Sequence, residues 1–378
     1  MLRRDNNLIN ARGINNNPPI NCSSPAIQQD FETFKNDLLH QHGVHPNRRM
    51  LSPNPPFEKH PYLQYVSKEF FEKYIIGTFP PISYVIDLLL AEYGLAITHL
   101  IQPNGVGTIT EPYIPFFHGN FASFWKFILT NEEFQEIRNT VNRGERKEKL
   151  LKWLNENRII YSDIIKSTQR ELDDEVSYNS EDQYLHNICI NTDLICHIMQ
   201  NSNAKFLMFN TSNTFGRNTL LHLNRNQNGS KGQVNVNTDA NSFDLFIRGC
   251  QELGIKVEFR INQGPTILIP WVELNAVNAP YVNQNFKNKI AFEIRLTITN
   301  KVNPDFIKSC LNGITISKEL TVITGPSPSS QAVRGVGGNH NYLAWQVLNP
   351  NSTTTDFIRY VHNCFRNNMF NNLYALNL

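Results

Sequence analysis

The sequence predicts an α/β protein, a three-layer α/β/α sandwich on a short, mainly parallel sheet. Three observations carry that expectation. Short β-branched runs alternate with amphipathic helical patterns along most of the chain, which implies a parallel sheet with helices on both faces. Two such runs far apart, Tyr74–Pro81 (YIIGTFPP) and Thr321–Arg334 (TVITGPSPSSQAVR), each stop in a Gly/Pro-rich turn. Val and Ile fit a pleated, half-buried surface, while Gly and Pro end the strand at its carboxyl edge, where open α/β sheets bind ligands. Finally, the 378 residues are 40 % hydrophobic, 11 % aromatic and 18 % charged, enough to bury one large core or two ordinary ones.

Residues 1 to about 60 carry the runs NNNPPI and SPNPPF and one short helical stretch at Asp30–His40, the pattern of a loosely docked N-terminal extension. Residues 61–378 are expected to form the α/β domain. It begins with a strand at Tyr74–Ile76, a helix at Ile82–Tyr93 and a helix at Phe121–Leu129. Two charged helices follow through Glu156, then an extended run at Ile159–Tyr161 and a polar loop. A helical pattern covers Gln183–Asn201, a strand Lys205–Phe209 and another helix Phe215–Leu223. The Asn/Gly-rich NRNQNGSKGQVNVN breaks this rhythm and opens an insertion at about 224–303, with a helix at Phe243–Leu253 and strand-like runs at Lys256–Ile261, Thr266–Val272 and Ala291–Thr299. Beyond it are a helix at Pro304–Leu311, the strand Thr321–Ile323, and helices at Tyr342–Leu348 and Thr355–Arg366.

The formal charge of +2 is too small to argue for nucleic acid by itself. Arg138, Arg143, Arg146, Lys147, Lys149, Lys152 and Arg158 crowd one stretch, but Glu132, Glu133, Glu136, Glu145, Glu148 and Glu156 alternate with them, as on a solvated face laced with i,i+4 pairs. Six scattered cysteines without CxxC spacing suit reduced thiols in an intracellular protein and offer no zinc or iron–sulfur pattern. Met1–Asp5 is charged and no apolar core follows, so no secretory signal is expected. The most apolar stretch, Pro81–Ile101, contains Asp87, Glu92 and His99 and suits an amphipathic helix rather than a membrane span.

Common catalytic signatures are missing: the sequence has no GxxxxGK[ST], GxSxG, HExxH or dinucleotide fingerprint, and GVGGN at Gly335–Asn339 suits a flexible loop. Six segments in order are more informative. They are GTFPP at Gly77–Pro81, FFHGNFASFW at Phe116–Trp125, IIYSDIIKSTQR at Ile159–Arg170, NTDL at Asn191–Leu194, KFLMFNTSN at Lys205–Asn213, and TGPSPSS at Thr324–Ser330 with Trp345. Together they resemble the uracil-DNA glycosylase superfamily, nearest to its deoxyinosine/xanthine-type branch, over roughly residues 74–222 and 320–346. That branch has a Gly-x-aromatic/Met-Pro loop, an aromatic pair before Asn-x-Phe-Trp, an Asp in the next extended run, Phe-Asn-Gly after a strand, and a late Pro-Ser loop. The resemblance implies an enzyme that extrudes a nucleotide, stacks its base on an aromatic ring, reads its polar edge and adds water at the sugar C1′.

By that resemblance Gly77, Thr78, Phe79, Pro80, Phe116, Phe117 and His118 form the base pocket, and Asn210, Asp163 and Asn120 carry the chemistry. Phe79 stands where other branches place a water-positioning Asp or Asn; it is alternatively a core residue under a turn. Asn210 offers both a donor and an acceptor for a base edge or a water, and alternatively caps a helix. The family's Asn three residues before the Trp falls on Ala122, with Asn120 two residues earlier. Asp163 orients water or stabilises charge on the sugar, or else caps the Ile164–Ser167 turn or pairs with Arg170. His118 equally suits a surface role. Ser327, Pro328, Ser329 and Ser330, with Arg334 and His340, are expected to lie along a DNA backbone, although the last two also suit solvent.

The expectation is a monofunctional DNA glycosylase that excises uracil, a deaminated base or a modified base, in DNA repair or in defence against phages with modified DNA. No lysine is placed like a Schiff-base nucleophile. DNA is the expected partner, with no membrane, no metal and no cofactor, in the cytoplasm of a prokaryotic cell. Two rival classes remain: a catalytically silent DNA- or nucleotide-binding protein, suggested by Phe79 and Ala122, and an N-glycosidase acting on free nucleosides or nucleotides, suggested by the modest charge.

Overall fold

The computed structural model describes residues 58–60, 71–78, 124–140, 143–170, 185–209, 220–225, 231–235, 242–261, 270–274, 289–299, 317–324, 337 and 339–376. The expected helices Asp30–His40, Ile82–Tyr93 and Pro304–Leu311 lie outside them.

The strands, in chain order, are β1 (Glu58–Lys59), β2 (Lys73–Gly77), β3 (Ile159–Asp163), β4 (Ile165–Arg170), β5 (Leu185–Ile190), β6 (Phe206–Phe209), β7 (Leu220–Arg225), β8 (Lys231–Asn235), β9 (Ile255–Arg260), β10 (Val272–Glu273), β11 (Ala291–Ile298) and β12 (Ser317–Thr324). The helices are α1 (Trp125–Ile128), α2 (Asn131–Asn139), α3 (Arg143–Glu156), α4 (Thr192–Gln200), α5 (Ser242–Glu252), α6 (His340–Leu348), α7 (Thr354–Arg366) and α8 (Phe370–Tyr374).

Seven strands form the central sheet in the order β10-β9-β11-β12-β6-β2-β3. β12, β6, β2 and β3 run parallel to one another. The expected short sheet is longer than that core, because β11, β9 and β10 from the 224–303 segment add to its β12 side, all antiparallel. The insertion therefore extends the sheet instead of forming a separate body.

Every residue of β2 and of β3, the strand at the sheet's edge, is buried, as strands covered on both faces require. Alternation sends Ile75, Tyr161, Met208 and Ile323 into one apolar core with α1 to α3 and α6 to α8. Tyr74, Ile76, Ile160, Leu207 and Phe209 enter the other with α4 and α5. On β9 the pattern is half-buried: Ile255, Val257 and Phe259 face α5, whereas Lys256, Glu258 and Arg260 face the other way. There Arg260 and Arg295 both lie over Trp271, at 4.3 and 4.2 Å from the ring centroid, and pair with Glu293 and Glu319.

Two expected helices are corrected. Gln183–Asn201 contains the strand β5 before α4, because Leu185–Ile190 pairs antiparallel with β4 and Asn191 then caps the helix. Of the expected Phe215–Leu223 helix, the described residues from Leu220 on belong instead to β7, which pairs antiparallel with β8, and 215–219 lie outside the described residues. Of the polar loop expected after Tyr161, Ile165–Arg170 forms β4, which lies between β1 and β5 in a second, three-stranded sheet, and 171–182 lie outside the described residues. Among the described residues, no helix is long and apolar enough to cross a membrane.

Candidate active site at the carboxyl edge of the parallel strands

The four parallel strands end almost in line. Ile76 is in register with Ser162 on one side and Phe209 on the other, and Phe209 with Thr324. Adjacent strands are about 4.8 Å apart, so the ends of β2 and β12 are separated by about 10 Å. Counting only these strands in chain order, the sheet reads 2-1-3-4: the chain passes from β2 to β3 on one side, and from β6 to β12 on the other. In open α/β sheets such a reversal marks the usual ligand position, here between the carboxyl ends of β2 and β6.

Gly77 and Asp163 form the last pair of the β2–β3 ladder at this edge. Asp163 is 3 % exposed, and its Oδ2 lies 2.7 Å from Nε2 of His60, also 3 % exposed. An ionised carboxylate only accepts hydrogen bonds, so with Asp163 charged the shared proton sits on the imidazole Nε2. Oδ1 is buried and has no hydrogen-bond partner among the described residues. A Cβ at position 77 would stand 2.1 Å from that oxygen and 3.2 Å from the Tyr161 hydroxyl. Glycine is therefore required here by the close approach of a carboxylate.

The local chain holds this geometry from several directions. Asp163 lies where the chain leaves the large sheet and enters the small one at Ile165. The backbone amides of Ile164 and Ile165 donate to the carbonyls of Gly77 and Thr78 at 3.0 and 3.1 Å, tying the end of β2 to this corner. Buried Asn191 donates its Nδ2–H to the Asp163 carbonyl at 3.0 Å, and its Oδ1 accepts from the amide of Leu194 as the cap of α4. His60 arrives on β1, whose Glu58 and Lys59 pair with Thr168 and Ser167, and its own amide donates to the Lys166 carbonyl. The β4–β5 pairing is irregular around Ser167, as expected where a strand bends to re-aim its neighbours.

Of the residues named from sequence, Asp163, Gly77 and Thr78 come together here, Thr78 being buried. Asp163 does not cap a turn at Ile164–Ser167, since β4 begins at Ile165, and its side chain instead meets His60. His340 is exposed at the first position of α6, whose N-terminal amides at Asn341 and Tyr342 are already accepted by the Asn339 side chain. Phe79, Pro80, Phe116, Phe117, His118, Asn120, Asn210, Ser327, Pro328, Ser329, Ser330 and Arg334 lie outside the described residues. Asn210 directly follows Phe209 in sequence, and Ser327 comes three residues after Thr324.

Phe124 and Trp125, which close the FASFW segment, are fully buried, with ring centroids 5.4 and 6.4 Å from that of Tyr161. They are packing residues on the face of the sheet that carries Asp163. Trp345 is likewise core, its ring tilted against those of Phe357 and Tyr360 at centroid distances of 5.4 and 5.5 Å. In the charged stretch, Lys149 pairs with Glu136 and Glu145, and Lys152 with Glu156, as a solvated face does.

His60 was not among the residues expected from sequence. It lies 103 positions from Asp163 and carries no spacing signal, at the border of a Pro-rich segment. Asn191 was visible only as part of NTDL. No group of three or more His, Cys, Asp or Glu side chains is arranged to hold a metal among the described residues. Comparison with protein-family models, curated proteins and solved structures finds no match.

Proposed function

We propose that this chain is a monofunctional DNA glycosylase, a three-layer α/β/α sandwich that hydrolyses the N-glycosidic bond of a flipped-out uracil, deaminated or modified base. The observation that carries the proposal is the buried Asp163 carboxylate at the edge of the parallel strands, with one oxygen held by His60 and the other without a partner among the described residues. Support also comes from the order of the sequence motifs. Gly77 and Asp163 are paired, the strand preceding Asn210 ends beside them, and the strand preceding Ser327 ends one strand further on.

In this scheme a water oxygen forms a bond to C1′ as the C1′–N bond breaks, and the bonding electrons leave with the base. The water proton passes to Asp163 Oδ1, and the departing base takes a proton from solvent. Before that transfer the carboxylate faces positive charge developing on the sugar, an attraction strengthened where water is excluded. Asn210 and the Phe116–Phe117 pair retain the roles that the resemblance implies, reading the base edge and stacking on its face. DNA repair and defence against phages with modified DNA are both served by this reaction.

One observation favours a second proposal, an N-glycosidase on free nucleosides. Lys149 and Lys152 on α3 pair with carboxylates, as do Arg260 and Arg295 on the inserted strands, so these four cations are already matched and are not free for a phosphate backbone. Incubating the protein with duplexes carrying uracil, hypoxanthine, xanthine or hydroxymethylated and glucosylated cytosine, and separately with the matching nucleosides, distinguishes them. Alkali-labile sites in a duplex, lost in Asn210→Ala, support the glycosylase. Release of base from nucleosides alone supports the second proposal, and tight DNA binding without abasic sites supports a silent binder.

A further inference from the structure

We infer that His60 is the positioning residue for Asp163, delivered to the active site by a segment outside the six motifs. The inference rests on the glycosylase proposal above. A carboxylate side chain on a strand end has free rotation about its terminal bond unless something holds it. Here two features hold it: the 2.7 Å bond from His60 Nε2 to Oδ2, and the glycine at 77 that lets Oδ1 settle against the β2 backbone. The result is a carboxylate with its two oxygens made unequal, one held by His60 and the other, buried beside Gly77, without a partner among the described residues and assigned the water proton in the proposed reaction.

The backbone around His60 suits that role. β1 is only two residues long, yet it pairs with β4 immediately after Asp163, and the His60 amide is fastened to the Lys166 carbonyl at 3.0 Å. The short strand thus fixes the imidazole relative to the same corner of backbone that carries Asp163. In the hydrolytic step His60 neither gains nor loses a bond. Its Nε2–H stays on Oδ2 while the water proton moves to Oδ1, and that proton leaves to solvent after the base departs.

The test compares wild type, His60→Gln, His60→Leu, Asp163→Asn and the double variant His60→Leu/Asp163→Asn in single turnover on whichever duplex the wild type cleaves. Gln keeps a donor near the position of Nε2; Leu removes it. The expected result is a loss of about 100-fold in the maximal rate for His60→Leu with substrate binding little changed, because misplacing a reacting group costs on that order. His60→Gln should recover most of the loss, and Leu at 60 should cost nothing further once Asp163 is Asn. Removing one partner of a buried pair also threatens folding, so rates are referred to folded protein and His60→Gln serves where His60→Leu does not fold. An active wild type in which His60→Leu costs as much rate in the Asp163→Asn background as in the wild type, or in which His60→Gln loses as much as His60→Leu, overturns the inference and leaves the glycosylase proposal standing. So does a His60→Leu protein with the wild-type rate. A wild type that cleaves no duplex overturns both.

Discussion

A Cβ at position 77 would meet Asp163 Oδ1 at 2.1 Å, so Gly77→Ala must push the carboxylate away or part β2 from β3. Crowding of this kind costs about 1–3 kcal/mol. The expected outcome is a lower denaturation midpoint and, under the glycosylase proposal, a fall in excision rate per folded molecule, read by chemical denaturation and single-turnover cleavage. His362 offers a separate test on a residue with no part in the site. It is fully buried, donates Nδ1–H to the Ile358 carbonyl at 2.8 Å and lies against Phe124, while its Nε2 has no partner among the described residues. Burial, partly opposed by that hydrogen bond, pushes its pKa down to about 4. Between pH 6.5 and 4 the unfolded chain therefore binds a proton that the folded one refuses. Stability is fully present above 6.5 and falls as pH drops through this window, by on the order of 3 kcal/mol. In His362→Leu the urea midpoint should lose less between pH 7 and 4 than in wild type; an equal loss would contradict this assignment.

The elements that sequence revealed are those whose pattern is local. β2, β3 and β6 are largely apolar, β-branched or aromatic runs buried almost throughout, β12 becomes continuously buried over Val322–Thr324, and α5 and α7 present apolar stripes. β5 escaped because LHNICI runs straight into a helix, and its strand state depends on pairing with β4, which periodicity does not encode. The capping devices were also written locally. Thr353 and Asp356 form a reciprocal box at the start of α7, and the hydrogen bonds from Thr353 hold the Asp356 carboxyl below its usual range. Thr353→Ala should cost about 1 kcal/mol in thermal or denaturant unfolding, without altering the excision rate per folded molecule. The inserted strands were legible as strands, yet their joining to the edge of the main sheet at β12 was not, since register is fixed by long-range pairing.

Across the molecule, the parallel core brings to one edge residues separated by more than two hundred positions, from Gly77 to Thr324. The two Gly/Pro-ended runs proved legible as exits from the same edge, because parallel strands put all their carboxyl ends together. What the sequence could not reveal is the partner of Asp163: a histidine 103 residues upstream becomes its neighbour only when β1 pairs with β4. The most direct measurement is abasic-site formation in the base-modified duplexes by wild type and by Asp163→Asn, which keeps the shape and removes the charge. Cleavage of at least one duplex by wild type, reduced about 100-fold or more in Asp163→Asn with the fold intact, is the predicted result. No cleavage of any duplex, or equal cleavage by both proteins, would contradict the proposal that this carboxylate drives base excision.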